Sequence, residues 1–408
     1  MRLVFAGTPA VAVPSLRLLA ASRHDIVGVI TRVDAPVGRK RVLTASPVAD
    51  AAEELGIPVH KANRLGDEAT AFVGDLAPDL GVIVAYGGFV REPLLSLPRL
   101  GWINLHFSLL PKWRGAAPVQ HSLIAGDAVT GAAVFQLVAE MDAGEVFATR
   151  EFTIGADATA GSVLEELSIL GAELLAEVVD ALADGTAVGV PQSGEPTFAP
   201  KLTADDARIR WQQPAASVLA RIHGTTPEPG AFTRVHDSRL KVLEAFAPAG
   251  GMRLQPGEFA LEGGNLLVGT GTTAIGLRRV QPEGKGAMDA AAWLDADRFA
   301  QPVEFARQVI PEAVGIVGVG EGAELQVDAF GRGAVAADAD HRRRLYRAFL
   351  ECHAPGQSLD FIGFGWCRAR WRWRGWRDLR IRGGQRFAGD NGFDLDLPAA
   401  AVDQPELV

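Results

Sequence analysis

The chain has 408 residues, 48% hydrophobic and 22% charged, the balance of a soluble globular protein long enough for two or three domains. A formal net charge of −9 argues against a surface given over wholesale to nucleic acid, although a local basic patch acts through its own nearby charges. Two cysteines, Cys352 and Cys367, cannot build a disulfide framework or a thiolate metal site. No segment reads as a signal peptide or approaches the ~20 apolar residues of a membrane span. A cytoplasmic protein with no metal and no membrane partner is expected.

The first half alternates strands and helices. Arg2–Ala6 is a short apolar strand that runs into Gly7-Thr8-Pro9, and Val11–Ala21 reads as a helix. Ile26–Thr31 is a second apolar strand. Residues 46–55 read as a helix opened by Ser46 as N-cap with Pro47 at the first helical position. Leu80–Ala85 and Trp102–His106 are further strands. Phe135–Val138 and Val146–Phe147 suggest a hairpin around the turn Met141–Gly144, and Gly161–Leu182 is a long amphipathic helix stopped by Asp184-Gly185. Alternating β and α segments with continuously apolar strands imply a mostly parallel α/β sheet covered on both faces.

Prolines at 191, 196 and 200 and Gly194 mark residues 186–207 as a linker. Beyond it, Phe232–Val235, Leu240–Leu243, Leu266–Gly269 and Ala274–Leu277 are short β-like runs separated by turns, which predicts a small all-β barrel ending near residue 310. The expected organisation is 1–185, linker 186–207, barrel 208–310 and an atypical tail 311–408. In that tail Arg368–Arg386 holds eight arginines interleaved with Trp371, Trp373 and Trp376 and shows no clean helical or strand period. It reads as a stacking and charged surface for nucleic acid or as a non-native extension from out-of-frame or read-through translation. Poor order and little contribution to activity are expected there.

Three segments carry the candidate chemistry. The turn Phe5–Pro9 lacks a dinucleotide fingerprint, with Pro9 where a second glycine would admit pyrophosphate, and reads as a tight turn or as the edge of a substrate site. Asn104 and His106 are two residues apart on a strand, so they share a face at the carboxyl end of an apolar strand, where open α/β sheets bind ligands. Asp142 follows on a turn. The loop Ser108–Pro118 has two prolines and one glycine beyond Ser108, a composition suited to holding polar groups rigidly beside a strand end.

These segments, Phe5–Pro9, Asn104–His106, Ser108–Pro118 and Met141–Gly144, resemble the signature blocks of the methionyl-tRNA formyltransferase family, over roughly residues 1–310. The resemblance implies a Rossmann-like formyltransferase domain followed by a β-barrel of the oligonucleotide-binding type. It implies 10-formyltetrahydrofolate as formyl donor, initiator methionyl-tRNA as acceptor, and a monomer. It carries the catalytic asparagine, histidine and aspartate onto Asn104, His106 and Asp142, and the folate-contacting run onto Ser108, Leu109, Leu110 and Pro111. It carries the tRNA-entering loop onto Arg39, Lys40 and Arg41, one residue shorter than the family's usual loop. On residues alone that run is an ordinary solvated loop. Lys241, Arg278, Arg279 and Lys285 are further candidate contacts in the barrel. Phe107 stands where the family often has glycine and is expected to change packing only, and Gly224–Gly230 lacks the aromatic residues of many members.

The chemistry implied is attack of an amine on a formyl carbon through a tetrahedral oxyanion. Asn104 can donate to that oxygen, and His106 can donate or act as base. Asp142 can accept from the other imidazole nitrogen. The division of duties between His106 and Asp142 stays open. A sugar-nucleotide formyltransferase shares the same three residues and is the nearest rival; the basic loop and the run Trp113–Pro118 stand against it. A glycinamide ribonucleotide enzyme would lack residues 208–310. A catalytically dead RNA-binding module and a nicotinamide-dependent dehydrogenase are weaker alternatives.

Overall fold

The computed structural model describes residues 1–38, 41–235 and 238–294, with five strand segments between Ser358 and Asp396. In chain order the first part comprises β1 (Arg2–Gly7), α1 (Val13–Ala20), β2 (Asp25–Thr31), β3 (Ala35–Val37), β4 (Val42–Thr44), α2 (Pro47–Glu54), β5 (Val59–Lys61), α3 (Asp67–Leu76), β6 (Leu80–Val84), β7 (Trp102–His106), α4 (Pro118–Ala125), β8 (Val129–Gln136), β9 (Val146–Thr153) and α5 (Ala160–Ala183). The main sheet has the order β5-β2-β1-β6-β7-β8-β9. Its first five strands are parallel, and β8 and β9 join antiparallel at one edge. This is the mostly parallel sheet that the apolar strands imply.

The helix boundaries follow local chemistry. Ser46 Oγ accepts the Ala49 N–H at 3.1 Å and starts α2. Thr159 and Ser162 form a reciprocal capping box that starts α5. The edge hairpin is longer than the sequence suggests: β8 begins at Val129 and β9 runs to Thr153, with Phe135 opposite Val146. Gly131, Ala132 and Ala133 hide it, because small residues lack a strand signature. A Cβ at Gly131 would lie 2.3 Å from the Arg150 carbonyl oxygen, so the packing itself demands glycine. The sheet divides two cores. Leu3, Phe5, Ile103, Leu105 and Phe107 belong to one cluster, and Val4, Ala6, Ile83 and Trp102 to the other. Phe107 therefore packs on the face opposite the one shared by Trp102, Asn104 and His106.

The second part comprises α6 (Ala215–Thr225), β10 (Phe232–Val235), β11 (Ser238–Phe246), β12 (Phe259–Glu262), β13 (Asn265–Val268), β14 (Ile275–Pro282), β15 (Met288–Asp289) and α7 (Ala290–Trp293). Its antiparallel sheet has the order β10-β11-β14-β13-β12, with β15 on β14, around a core that includes Trp211, Val242 and Ile275. Helix α6 is an addition to the all-β pattern read from the sequence. It packs against α4, and Gly224 makes this possible: a Cβ there would stand 2.8 Å from the Gln120 carbonyl oxygen and 2.6 Å from Ile124. Glycine at residue 224 thus serves the close approach of two helices.

Residues Met1–Arg307 form one compact unit and Gln308–Val408 a second. In the second, β16 (Ser358–Ile362), β17 (Arg368–Trp373), β18 (Leu379–Arg382), β19 (Arg386–Phe387) and β20 (Phe393–Asp396) make a sheet of order β16-β17-β20-β18-β19. Strand β17 covers the first six residues of the stretch in which no period was seen. Arginines at 368, 370 and 372 alternating with Ala369, Trp371 and Trp373 are a period of two, and reading by composition passes over it. In register, Arg370 stands opposite Asp360 and Asp396. Residues 295–310, where the barrel was expected to end, lie outside the described residues, as does most of the tail. Among the described residues no helix is long and apolar enough to cross a membrane.

Candidate active site

A cavity of about 500 Å3 opens at the carboxyl ends of β6 and β7. Asn104, His106 and Asp142 all line it, with Pro9 from the turn after β1. Asp142, distant in sequence, thus meets Asn104 and His106 because β7 delivers those two and the connection from β8 to β9 delivers the third. Among the described residues five non-glycine residues have positive φ; Ala85 at 48° and Asp142 at 48° line this cavity, and Trp113 at 62° presents its carbonyl to His106. Each such residue costs ~1–3 kcal/mol, a strain retained where function constrains the backbone.

His106 is 5% exposed, and its ring meets Phe135 edge-on at 6.3 Å between centroids. Its Nε2 lies 2.9 Å from the Trp113 carbonyl oxygen. A carbonyl only accepts, so Nε2 carries the hydrogen and Nδ1 of the neutral ring presents a lone pair. Nδ1 stands 3.8 Å from Asp142 Oδ2. Asp142 is therefore on the lone-pair side, and the Trp113 carbonyl, rather than the expected carboxylate, selects the tautomer. Burial pushes the His106 pKa below its ordinary value, with Asp142 and the Trp113 carbonyl pulling the other way. The ring is neutral near pH 7.

Asp142 Oδ2 also accepts the Gly115 N–H at 2.8 Å. Asn104 is half-buried, and its amide makes no side-chain hydrogen bond among the described residues, which leaves its NH2 for a ligand. The cavity walls are backbone-rich. Tyr86, Gly87 and Gly88 form one side and Val138, Ala139 and Met141 another. Thr8 Oγ1 donates to the Tyr86 carbonyl at 3.2 Å, which joins the turn after β1 to this wall. The glycine pair Gly87-Gly88, three residues beyond the end of β6, is the sequence signal for this wall.

Ser108, Leu109, Leu110 and Pro111 do not line the cavity. Ser108 is fully buried, and its Oγ donates to the Lys112 carbonyl at 2.6 Å. Leu109 packs toward Gly131 on β8, and the Pro111 carbonyl accepts the Thr197 N–H at 3.2 Å. This run braces the loop that carries Trp113. The Trp113 indole N–H donates to Asp127 at 2.8 Å, and its ring stacks on His121.

The basic loop is only partly described. Strands β3 and β4 pair as an exposed hairpin, and Arg41 at its tip has φ 50°. Arg39 and Lys40 lie outside the described residues. Arg278 sits over the Phe246 ring at 4.4 Å and 3.9 Å from Asp157, and Arg279 lies 3.6 Å from Glu244. Among the described residues no group of three or more His, Cys, Asp or Glu side chains could hold a metal ion.

The formyl transferase family matches residues 1–179, and its C-terminal domain matches residues 201–298. The chain is 59% identical over 293 residues to the methionyl-tRNA formyltransferase of Clavibacter sepedonicus, covering 72% of this chain and 96% of that protein. The enzyme of the same name from Leifsonia xyli subsp. xyli is 60% identical over the same shares. Among solved structures, an N-formyltransferase from Helicobacter canadensis in complex with folinic acid and dTDP-3-aminofucose gives a TM-score of 0.52 at 14% identity, over 67% of this chain and 97% of that one. HypX from Aquifex aeolicus in complex with tetrahydrofolic acid gives 0.50 at 18% identity, over 72% of this chain and 47% of that one. At such identities these two structures show a shared fold.

Proposed function

The chain belongs to the methionyl-tRNA formyltransferase family, and from that premise we propose that it moves the formyl group of 10-formyltetrahydrofolate to the α-amine of methionine on initiator tRNA. The observation that carries the chemistry is the convergence of Asn104, His106 and Asp142 in one cavity, with a neutral His106 whose lone pair faces inward. The cavity also suits the donor. A pterin has donor and acceptor edges around a flat ring, and walls built from the backbone of residues 86–90 and 137–142 offer both kinds of group beside apolar surface. On this reading Ser108–Pro111 serves the donor from behind, by holding the loop of Trp113.

The steps follow from the protein's groups. His106 Nδ1 takes the proton released when the amine nitrogen bonds to the formyl carbon. The Asn104 NH2 donates to the carbonyl oxygen as it becomes an oxyanion, the interaction that is usually the largest single catalytic contribution. Asp142 stabilises the imidazolium while it exists. His106 then returns the proton to the folate nitrogen as the C–N bond to the donor breaks, leaving a formamide and tetrahydrofolate. Arg39, Lys40 and Arg41 on the β3–β4 hairpin would neutralise phosphates of the acceptor stem. By the same family resemblance we propose a cytoplasmic monomer.

Single-turnover transfer to methionyl-initiator tRNA tests the reading, with Asn104→Ala and His106→Ala alongside. A loss of ~100-fold or more in each is expected for removal of a positioned catalytic group. Transfer to a sugar amine in place of tRNA would keep the donor chemistry and replace the acceptor.

A further inference from the structure

Gln192 lies between the two regions matched by the family, in the segment read from the sequence as a linker. That segment is laid along the site. Val190 pairs with Val146, and Phe198 bridges to Arg114. The Trp113 N–H donates to Thr197 Oγ1 at 2.9 Å, and the Ala199 N–H donates to the Arg114 carbonyl at 2.8 Å.

Within it, the Gln192 amide uses both of its faces. Nε2 donates to the carbonyls of Asp142 and Gly144, each at 2.9 Å. Oε1 accepts from Arg114 Nε at 3.2 Å and Nη2 at 2.7 Å. Carbonyls only accept and a guanidinium only donates, so the orientation of the amide is unique. The Arg114 side chain is 10% exposed, and its other ionic partner, Glu140, is 3.7 Å away and largely exposed. Arg114 directly precedes Gly115, whose N–H holds the Asp142 carboxylate. One amide therefore grips both sides of the Asp142–Gly115 contact: the strained backbone of Asp142 and the residue before Gly115.

We propose that Gln192 is a positioning residue that fixes Asp142 against His106, so the segment joining the two domains completes the active site. This rests on the catalytic reading of Asp142 and His106 given above. Glutamine suits the post because it supplies two donors to the turn and an acceptor to the guanidinium together. Glutamate keeps only the acceptor, and methionine keeps only the shape.

The test uses the full chain carrying Gln192→Met or Gln192→Glu, with Asp142→Asn and His106→Ala in parallel. Single-turnover rates, KM for donor and tRNA, and the pH profile of the rate are measured. A displacement near 1 Å at a catalytic group costs ~100-fold. The expected result is a rate loss of that order in Gln192→Met, with both KM values within about threefold of the parent on the same reasoning. The acid limb should move to lower pH, because a carboxylate drawn away from Nδ1 no longer supports the imidazolium. Gln192→Glu retains the Arg114 contact, so it guards against a fold that fails in Gln192→Met, and it should lose rate in the same way. A parental rate and an unmoved acid limb in either variant, with Asp142→Asn and His106→Ala inactive, would overturn the inference and leave the catalytic reading standing. Active Asp142→Asn and His106→Ala would bring down both.

Discussion

Gly144→Ala tests how tightly the turn that carries Asp142 is held. A Cβ at residue 144 would lie 1.8 Å from the Gln136 carbonyl oxygen, and real Cβ atoms stay beyond 3.0 Å, so something must move by more than an ångström. Gln136 ends β8, and its side chain donates to the Trp102 carbonyl at 2.9 Å. Its N–H donates to the Glu145 carbonyl at 2.8 Å. The strand is the stiffer side, and the turn gives way. The turn's displacement acts on the 3.8 Å separation of Asp142 from His106 Nδ1 and on the 2.9 Å bond from Gln192 to the Gly144 carbonyl. A shift of that size at a catalytic group costs ~100-fold in rate, or about 2.7 kcal/mol on the barrier. Overpacking of this kind costs roughly 1–3 kcal/mol of stability, so the variant should remain folded with a lowered Tm. Single-turnover transfer and thermal unfolding are measured together. Gly155→Ala is the control, because its nearest neighbour would be the Ala158 Cβ at 3.8 Å. A folded Gly144→Ala enzyme within about threefold of the parent rate would refute the idea that the turn's position sets activity.

Four further outcomes are expected. His106 must be neutral to act and its pKa is lowered by burial, so the acid limb of kcat/KM, scanned over about pH 5–8, should fall below the ordinary histidine value of 6.5; a limb above it would count against a buried base. By linkage the unfolded chain then binds a proton that the folded one does not, so stability falls as pH drops through 6.5, and this fall should be shallower in His106→Gln. Trp102→Ala removes a fully buried indole whose N–H donates to the Leu94 carbonyl at 2.9 Å, which should cost ~3–5 kcal/mol in denaturant unfolding; a cost below about 1 kcal/mol would mean that the second core is not what holds β7. Replacing Arg39, Lys40 and Arg41 together by alanine should raise KM for tRNA, flatten its log–log salt dependence by about two to three units and leave KM for the donor unchanged; an unaltered salt slope would remove the hairpin from the tRNA contact.

Much of the site was legible because it depends on local periodicity. Asn104 and His106 share a face through the period-two geometry of a strand, and the apolar runs around them imply the parallel sheet whose carboxyl edge holds the cavity. Ser46 announces its helix through capping chemistry that a few adjacent residues contain. The short strands β3 and β5, α3 and the glycine-rich half of β8 were missed. The strands among them carry weak propensities and are held extended by pairing with neighbouring backbone, whereas α3 starts at Gly66, which has no side chain to cap it.

By itself the sequence determined the layer architecture, the strand that bears the candidate base and the residue types around it, since these follow from patterns within ten or fifteen neighbours. Tertiary structure alone decided which groups touch. The Trp113 carbonyl selects the His106 tautomer, Gly115 holds the Asp142 carboxylate, Ser108–Pro111 stands behind the cavity wall, and Gln192 crosses 50 residues of chain to reach Asp142. Hydrogen bonds between backbone groups carry no residue-type signature, because almost every residue has the same N–H and C=O. Only when the chain is folded does it become apparent which of them are free to act on a side chain.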